Sequence, residues 1–196
     1  MIDWLESIDQ QIVLTINGWN SPFLDEFMWI ISGKITWIPL YAALIAIGFY
    51  KLGWKHALIY IGCVVLAVGL TDFICSGIIK GLVQRYRPSH HLQLIHNLHF
   101  YRLETGTFYQ GGQYGFVSSH AGNFVALSWT AGWILKPWFR WLLPVLLLLT
   151  LLICYSRIYL GVHYLSDIIG GAIIGTGVAV VVYRLIYLKL KKYISE

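Results

Sequence analysis

Charge is scarce in this chain. Asp, Glu, Lys and Arg make up 12% of its 196 residues and hydrophobic residues 58%, against about 25% charged in an ordinary soluble domain. That balance excludes a soluble globular enzyme, and the shortage of polar residues excludes a disordered chain. Cysteine is sparse as well. Cys63, Cys75 and Cys154 lie inside apolar runs without CxxC or Cys/His spacing, which excludes a disulfide scaffold and leaves them as small core residues. The 19 glycines show no period, so a collagen-like repeat is excluded too. The first residues lack a basic n-region and a small-residue cleavage site, so no secretory cleavage is expected. The net charge of +5 is spread over helix ends without a contiguous basic patch, which sets nucleic-acid binding aside.

Long apolar runs are abundant. A crossing of the hydrocarbon core takes about 20 residues, so the length accommodates about five spans. The expected fold is an all-α, polytopic membrane bundle forming one domain over residues 1–196, with spans near 35–50, 57–79, 118–135, 141–155 and 168–188. Ahead of them, Trp4, Leu5, Ile8, Ile12 and Ile16 recur at helical spacing among Asp3, Glu6 and Asp9, the pattern of an amphipathic helix lying in the interface. Lys51, Lys55, Lys136, Arg140, Arg184, Lys189, Lys191 and Lys192 fall at one set of span ends, and Lys34, Lys80, Arg85, Arg87, Arg102 and Arg157 at the other. Lys80, Arg87 and Arg157 are needed for chemistry, and without them the bias is eight to three. Short cytoplasmic connections carry such an excess. The C-terminus is therefore expected in the cytoplasm, and the long 89–117 loop on the outer face of the membrane.

Ionisable residues at the ends of membrane helices are costly unless they snorkel, pair or bind something. Alternating spans bring four ends together at the outer face, carrying Lys80 and Arg87, then Ser118, Ser119 and His120, then Ser156 and Arg157, then His163 and Asp167. Lys80 and Arg87 are seven apart, two turns along one helix face, before Pro88 stops the helix. Arg157 offers a planar fork for phosphate oxygens. Ser118 and Ser119 stand where a helix begins, a natural place for an anion. A phosphate fits this set better than any other ligand, although each cation alone reads equally as an interface anchor. His163 and Asp167 are four apart, so the carboxylate reaches the imidazole and leaves its other nitrogen free to attack phosphorus. His120, on a different helix, supplies a general acid for the departing oxygen and later a base for water. His56, by contrast, reads as a packing histidine.

In that order, Lys80-x6-Arg87-Pro88, Ser118-Ser119-His120 and Ser156-Arg157-x5-His163-x3-Asp167 resemble the three signature motifs of the type 2 phosphatidic-acid phosphatase superfamily, and the layout resembles its small bacterial members. The resemblance implies a metal-independent phosphatase with no cofactor. It implies that Lys80, Arg87 and Arg157 bind the phosphate, that Ser118 and the Ser119 backbone contact its oxygens, that His163 forms a phosphohistidine oriented by Asp167, and that His120 is the acid. The family's middle motif is Pro-Ser-Gly-His, whereas this chain has Val117-Ser118-Ser119-His120. A serine side chain therefore stands where backbone approaches phosphate.

The 89–117 loop carries His90, His91, His96 and His99 among Phe100, Tyr101, Phe108, Tyr109 and Tyr114. It reads as a lid or as an interfacial aromatic belt, its histidines match no metal-ligand spacing, and Gly111, Gly112 and Gly115 read as turns. Catalysis at the lipid–water boundary implies a membrane lipid phosphate as substrate. Within the family this means undecaprenyl pyrophosphate, the favoured expectation, or phosphatidylglycerol phosphate, phosphatidic acid or lipid A phosphates. A non-hydrolytic lipid-phosphate carrier would need only the cations, and a phosphotransferase would carry the same motifs. Gly170, Gly171, Ala172, Gly175 and Gly177 permit close packing of the last span, within the chain or between chains, so the oligomeric state stays open. His163→Ala is expected to abolish phosphate release while the protein keeps its helical circular dichroism and elution volume. Normal turnover in that variant would remove His163 from the nucleophile role.

Overall fold

The computed structural model describes residues 2–195. Two short helices, α1 (Ile2–Gly18) and α2 (Pro22–Ser32), precede a continuous 49-residue helical stretch, Ile35–Val83. This stretch contains α3 (Ile38–Asp72), a π-helical segment (Phe73–Ile79) and α4 (Lys80–Val83). Run straight, it would measure roughly 70 Å, more than twice the thickness of a bilayer core. It does not run straight. Gly53 adopts φ 72° and ψ 162°, a conformation open to glycine without a steric penalty, and the helix doubles back there. Gly48 then meets Tyr60 so closely that an added Cβ would lie 2.7 Å from the ring. The two expected spans at 35–50 and 57–79 are thus the arms of one helical hairpin with a single residue at its bend.

After the loop come α5 (Ser119–Leu135), α6 (Leu142–Tyr159) and α7 (Leu165–Val181), then a second π-helical segment (Val182–Tyr187) that leads into α8 (Leu188–Ser195). By length and composition, Ile35–Val83, Leu142–Tyr159 and Leu165–Tyr193 are able to cross a membrane. With the first folded double and α5 threaded through the middle, the helical bundle matches the expected architecture. Its outward surface is apolar, with Leu148, Leu151 and Ile173 each about two-thirds exposed, as lipid contact requires. At 17 residues α5 is slightly short, but it is the innermost helix, and Ala121, Ala126, Ala131 and Leu135 are fully buried.

The centre of the bundle is built on missing side chains. A Cβ on Gly175 would fall 2.2 Å from the carbonyl oxygen of Gly122, and one on Gly171 would fall 2.3 Å from that of Ser118. The backbones of α5 and α7 therefore touch, the small-residue packing familiar from membrane helices. This places the glycines of the last span within the chain, except Gly177, which has open space beside it.

Helix α1 is amphipathic, as expected, but it turns its polar stripe inward. Asp9, Val13 and Asn17, four apart, are buried, while Trp4 and Leu5 are more than half exposed. Asn17 accounts for part of this docking. Its Nδ2 donates to the carbonyls of Tyr159 (2.7 Å) and His99 (2.8 Å), and its Oδ1 accepts from the N–H of His99 at 2.8 Å. Gly175→Ala is expected to destabilise the detergent-solubilised protein by about 2 kcal/mol or more through overpacking. Gly177→Ala is expected to be neutral or stabilising, up to about 1 kcal/mol from helix propensity. Thermal unfolding of the pair checks both.

Candidate active site

Helix α5 begins at the end of the bundle that carries the 89–117 loop, where Ser118 caps it. The backbone of Ser118 is extended and its Oγ accepts from the N–H of Ala121 at 3.4 Å. Helix α7 begins alongside, with Tyr164 as its first cap and Asp167 at the third position, where Asp167 Oδ2 accepts from the Tyr164 N–H at 3.0 Å. The N–H of Ser118 donates to the carbonyl of Asp167 at 2.9 Å. This ties the two helix starts together and sets His120 and His163 on one cavity of about 800 Å³.

The wall of that cavity at this end consists of Lys34, Lys80, Arg87, Ser119, His120 and His163. Between the arms of the α3 hairpin and α5 it continues along Tyr41, Leu44, Val65, Val68 and Phe124. One end is cationic, and beyond Asp72, Ser76 and Asn123 the rest is largely apolar. Such a site suits a phosphate attached to a lipid.

His163 lies in the turn between α6 and α7 and is 1% exposed. Its Nδ1 is 3.2 Å from Asp167 Oδ2, so Nδ1–H donates to the carboxylate and Nε2 carries the lone pair. Burial pushes the imidazole well below its usual range, and Arg87, Arg157 and Lys80 add to the effect. The ring is neutral at physiological pH, the state a nucleophile requires.

The cations are held by different means. Lys80 Nζ donates to Ser119 Oγ at 2.8 Å, and Ser76 Oγ lies 2.6 Å from the same oxygen. The hydroxyl that replaces the family's glycine is thus a partner of Lys80. Arg87 is not on the helix that carries Lys80, as the spacing had suggested. That helix ends at Val83 with Gln84 left-handed at φ 50°, and the residue before Pro88 is confined to extended backbone. Arg87 instead reaches the cavity from the loop, its Nε donating to the Tyr114 carbonyl (3.1 Å) and its Nη1 to that of Val162 (3.3 Å). Arg157 is 3% exposed. It donates to Ser32 Oγ and, at 3.0 Å, to the Tyr109 hydroxyl, while its Nε has no partner among the described residues. Ser118 is fully buried, its Oγ accepts the cap bond, and it is absent from the cavity lining. It therefore stands behind the cavity wall.

Several site residues were not singled out from the sequence. Arg85, grouped with the anchors, donates to Asp167 Oδ1 (3.2 Å), Ser166 Oγ (2.6 Å) and Asp9 Oδ2 (2.9 Å). Asp9 in turn accepts from the Ser166 N–H at 3.0 Å and from its hydroxyl. An acid in register with Val13 and Asn17 was the available signal, because an interfacial helix has no reason to place Asp on that stripe. Tyr109 is a loop residue that meets Arg157, and Trp29 of α2 packs edge-to-face against it and stacks on Tyr101, with ring centroids 4.9 and 4.7 Å away. Gly115 is required for close approach, since a Cβ there would lie 2.9 Å from Asp167 Oδ2 and 3.1 Å from Arg87 Cγ. The loop histidines disperse, His91 toward Glu6 (3.8 Å) and His99 onto Asp25 (2.8 Å).

Residues 56–191 match the PAP2 superfamily. The chain is 35% identical over 184 residues to the lipid A 4′-phosphatase of Porphyromonas gingivalis, covering 93% of this chain and 75% of that protein. It is 37% identical over 175 residues to the lipid A 4′-phosphatase of Bacteroides thetaiotaomicron, covering 89% and 75%. Two crystal structures share the fold at 20% identity. A transmembrane phosphatidylglycerolphosphate phosphatase from Bacillus subtilis superposes with a TM-score of 0.68, covering 91% of this chain and 84% of that one. Aquifex aeolicus LpxE superposes at 0.59, covering 89% and 93%.

Arg85→Ala is expected to lower kcat roughly 10- to 100-fold with little change in KM, because Asp167 loses its outer partner and the imidazole its fixed aim. Arg85→Lys is expected to recover only part of the loss, since one ammonium cannot span both carboxylates and Ser166. Steady-state kinetics on the two variants checks the split.

Proposed function

The chain belongs to the PAP2 superfamily, and from that premise we propose that it is a lipid A phosphatase acting through a phosphohistidine on His163. It is an integral-membrane, metal-independent phosphatase. The observation that carries the mechanistic reading is a neutral, buried imidazole on the cavity wall with Asp167 fixed behind it. The phosphate seats among Lys80, Arg87 and Arg157, whose charge stabilises the oxygens of the transition state. Nε2 of His163 attacks phosphorus as the P–O bond to the lipid breaks, and His120 gives its proton to the departing oxygen. Water then attacks the phosphohistidine, His120 takes its proton, the P–N bond breaks, and inorganic phosphate leaves.

Polyprenyl pyrophosphate was the favoured expectation from motifs alone. Relatives at 35 and 37% identity over nine-tenths of the chain carry a lipid A activity, and they move the preference to lipid A, one of the alternatives. A cavity with a cationic mouth and apolar walls supports an amphiphile of that kind. The active-site end faces the periplasm and the C-terminus the cytoplasm in this reading. The opposite end of the bundle carries Lys51 and Lys55 beside the Gly53 bend and Lys136 and Arg140 in the α5–α6 connection, with Lys51 Nζ 5.9 Å from the Phe139 ring.

Purified protein is expected to release inorganic phosphate from lipid A bearing a 4′-phosphate with EDTA present, and to lose that release in His163→Ala. Phosphate release from undecaprenyl pyrophosphate but not from lipid A would overturn the substrate assignment, and release that survives His163→Ala would overturn the mechanism.

A further inference from the structure

Asp72 and Asn123 have no part in the reaction above, yet both line the same cavity. Asp72, Ser76 and Lys80 recur at intervals of four on the second arm of the hairpin, and Ser119 and Asn123 at the same interval on α5. Two polar ladders therefore face each other. The upper rungs join Lys80 and Ser76 to Ser119, at 2.8 and 2.6 Å, and the lower rung is Asn123 Nδ2 donating to Asp72 Oδ1 at 3.0 Å. Asp72 is eight residues before Lys80, a rise of roughly 12 Å along the helix toward the bilayer interior. The cavity around and below it is apolar, lined by Val65, Val68, Leu44 and Tyr41.

A carboxylate at that depth is costly unless something answers it. Asn123 answers one oxygen. Among the described residues no group is seen donating to Asp72 Oδ2, and the buried Oδ1 of Asn123 has no partner either. Asp72 is exposed on the cavity, so its Oδ2 is open to a ligand below the phosphate-binding groups and above the apolar part of the cavity, whereas Asn123 Oδ1 is sealed in the wall. An acceptor left this way discriminates strongly between ligands that bring a donor and ligands that do not.

We propose that the Asp72–Asn123 rung sets substrate choice by accepting a hydrogen bond from a hydroxyl or amide N–H on the body of the lipid, close to its phosphate. An acylated amino-sugar phosphate carries such donors. A polyprenyl phosphate carries none there, and a diacylglycerol phosphate presents only ester acceptors, which the carboxylate repels. The inference rests on the lipid A reading and refines it.

The test compares kcat/KM for 4′-phosphorylated lipid A and for phosphatidic acid in mixed micelles, using the full-length wild type, Asp72→Ala and the near-isosteric Asp72→Asn. Asp72→Ala is expected to lower the lipid A to phosphatidic acid ratio by about tenfold, and Asp72→Asn, which keeps an acceptor oxygen, by less. An equal fall on both substrates, or no change on either, would overturn the inference and leave the lipid A reading standing. A wild type that cleaves phosphatidic acid but never lipid A would overturn both. Should the alanine variant fail to fold, the asparagine variant decides alone, an unchanged ratio counting against the proposal.

Discussion

Where α5 passes α7, two backbones meet without side chains between them, and the working end of the molecule hangs from that contact. Gly171 and Gly175 leave no room for a Cβ against the carbonyls of Ser118 and Gly122. Helices that close keep a fixed register, and this register places the first turn of α5 beside the first turn of α7. Ser118 then bonds the Asp167 carbonyl, His120 faces the cavity that His163 faces, and the two imidazoles proposed as acid and nucleophile arrive on one space, one from α5 and one from the turn before α7. A wider α5–α7 spacing would retain every motif residue and separate the two imidazoles.

Around that contact the protein handles buried charge by connecting it. Asp167 would be expensive to keep ionised in so dry a place, and it is answered by a backbone N–H, an imidazole and Arg85. Arg85 is answered in turn by Asp9 and Ser166. Arg157 is held by Ser32 and Tyr109. The N-terminal helices thus take part in the site from outside it, fixing the groups that fix the catalytic ones. This accounts for the burial of the polar stripe of α1 while Trp4 and Leu5 remain available to lipid.

The helical class was legible from apolar runs, and the motif residues from their spacing, because both depend on local periodicity. His163 and Asp167 meet as an i, i+4 pair must near a helix start. What stayed hidden was long-range. Nothing local shows that Asp9 lies against Ser166, or that Arg87 comes to the cavity from a loop while Lys80 comes from a helix. A reversal between residues 50 and 57 was legible, but its reduction to Gly53 was not: a one-residue bend carries no turn signature beyond a glycine, and this chain has 19. Ser118 carries a local signal with a second use, since its Oγ caps α5 by accepting from the Ala121 N–H.

The bonds from α1 to the far end of the chain have a consequence for biogenesis. Asp9 and Ser166 are 157 residues apart, and Asn17 and Tyr159 are 142 apart. Helix α1 is therefore held at the junction of α6 and α7, and closing so long a loop is slow compared with forming local helix. Until that closure, Arg85 lacks its anchor and Asp167 its outer partner. The separate helices can thus form well before the site is complete, because its outer supports are joined only when α1, Arg85 and the start of α7 come together.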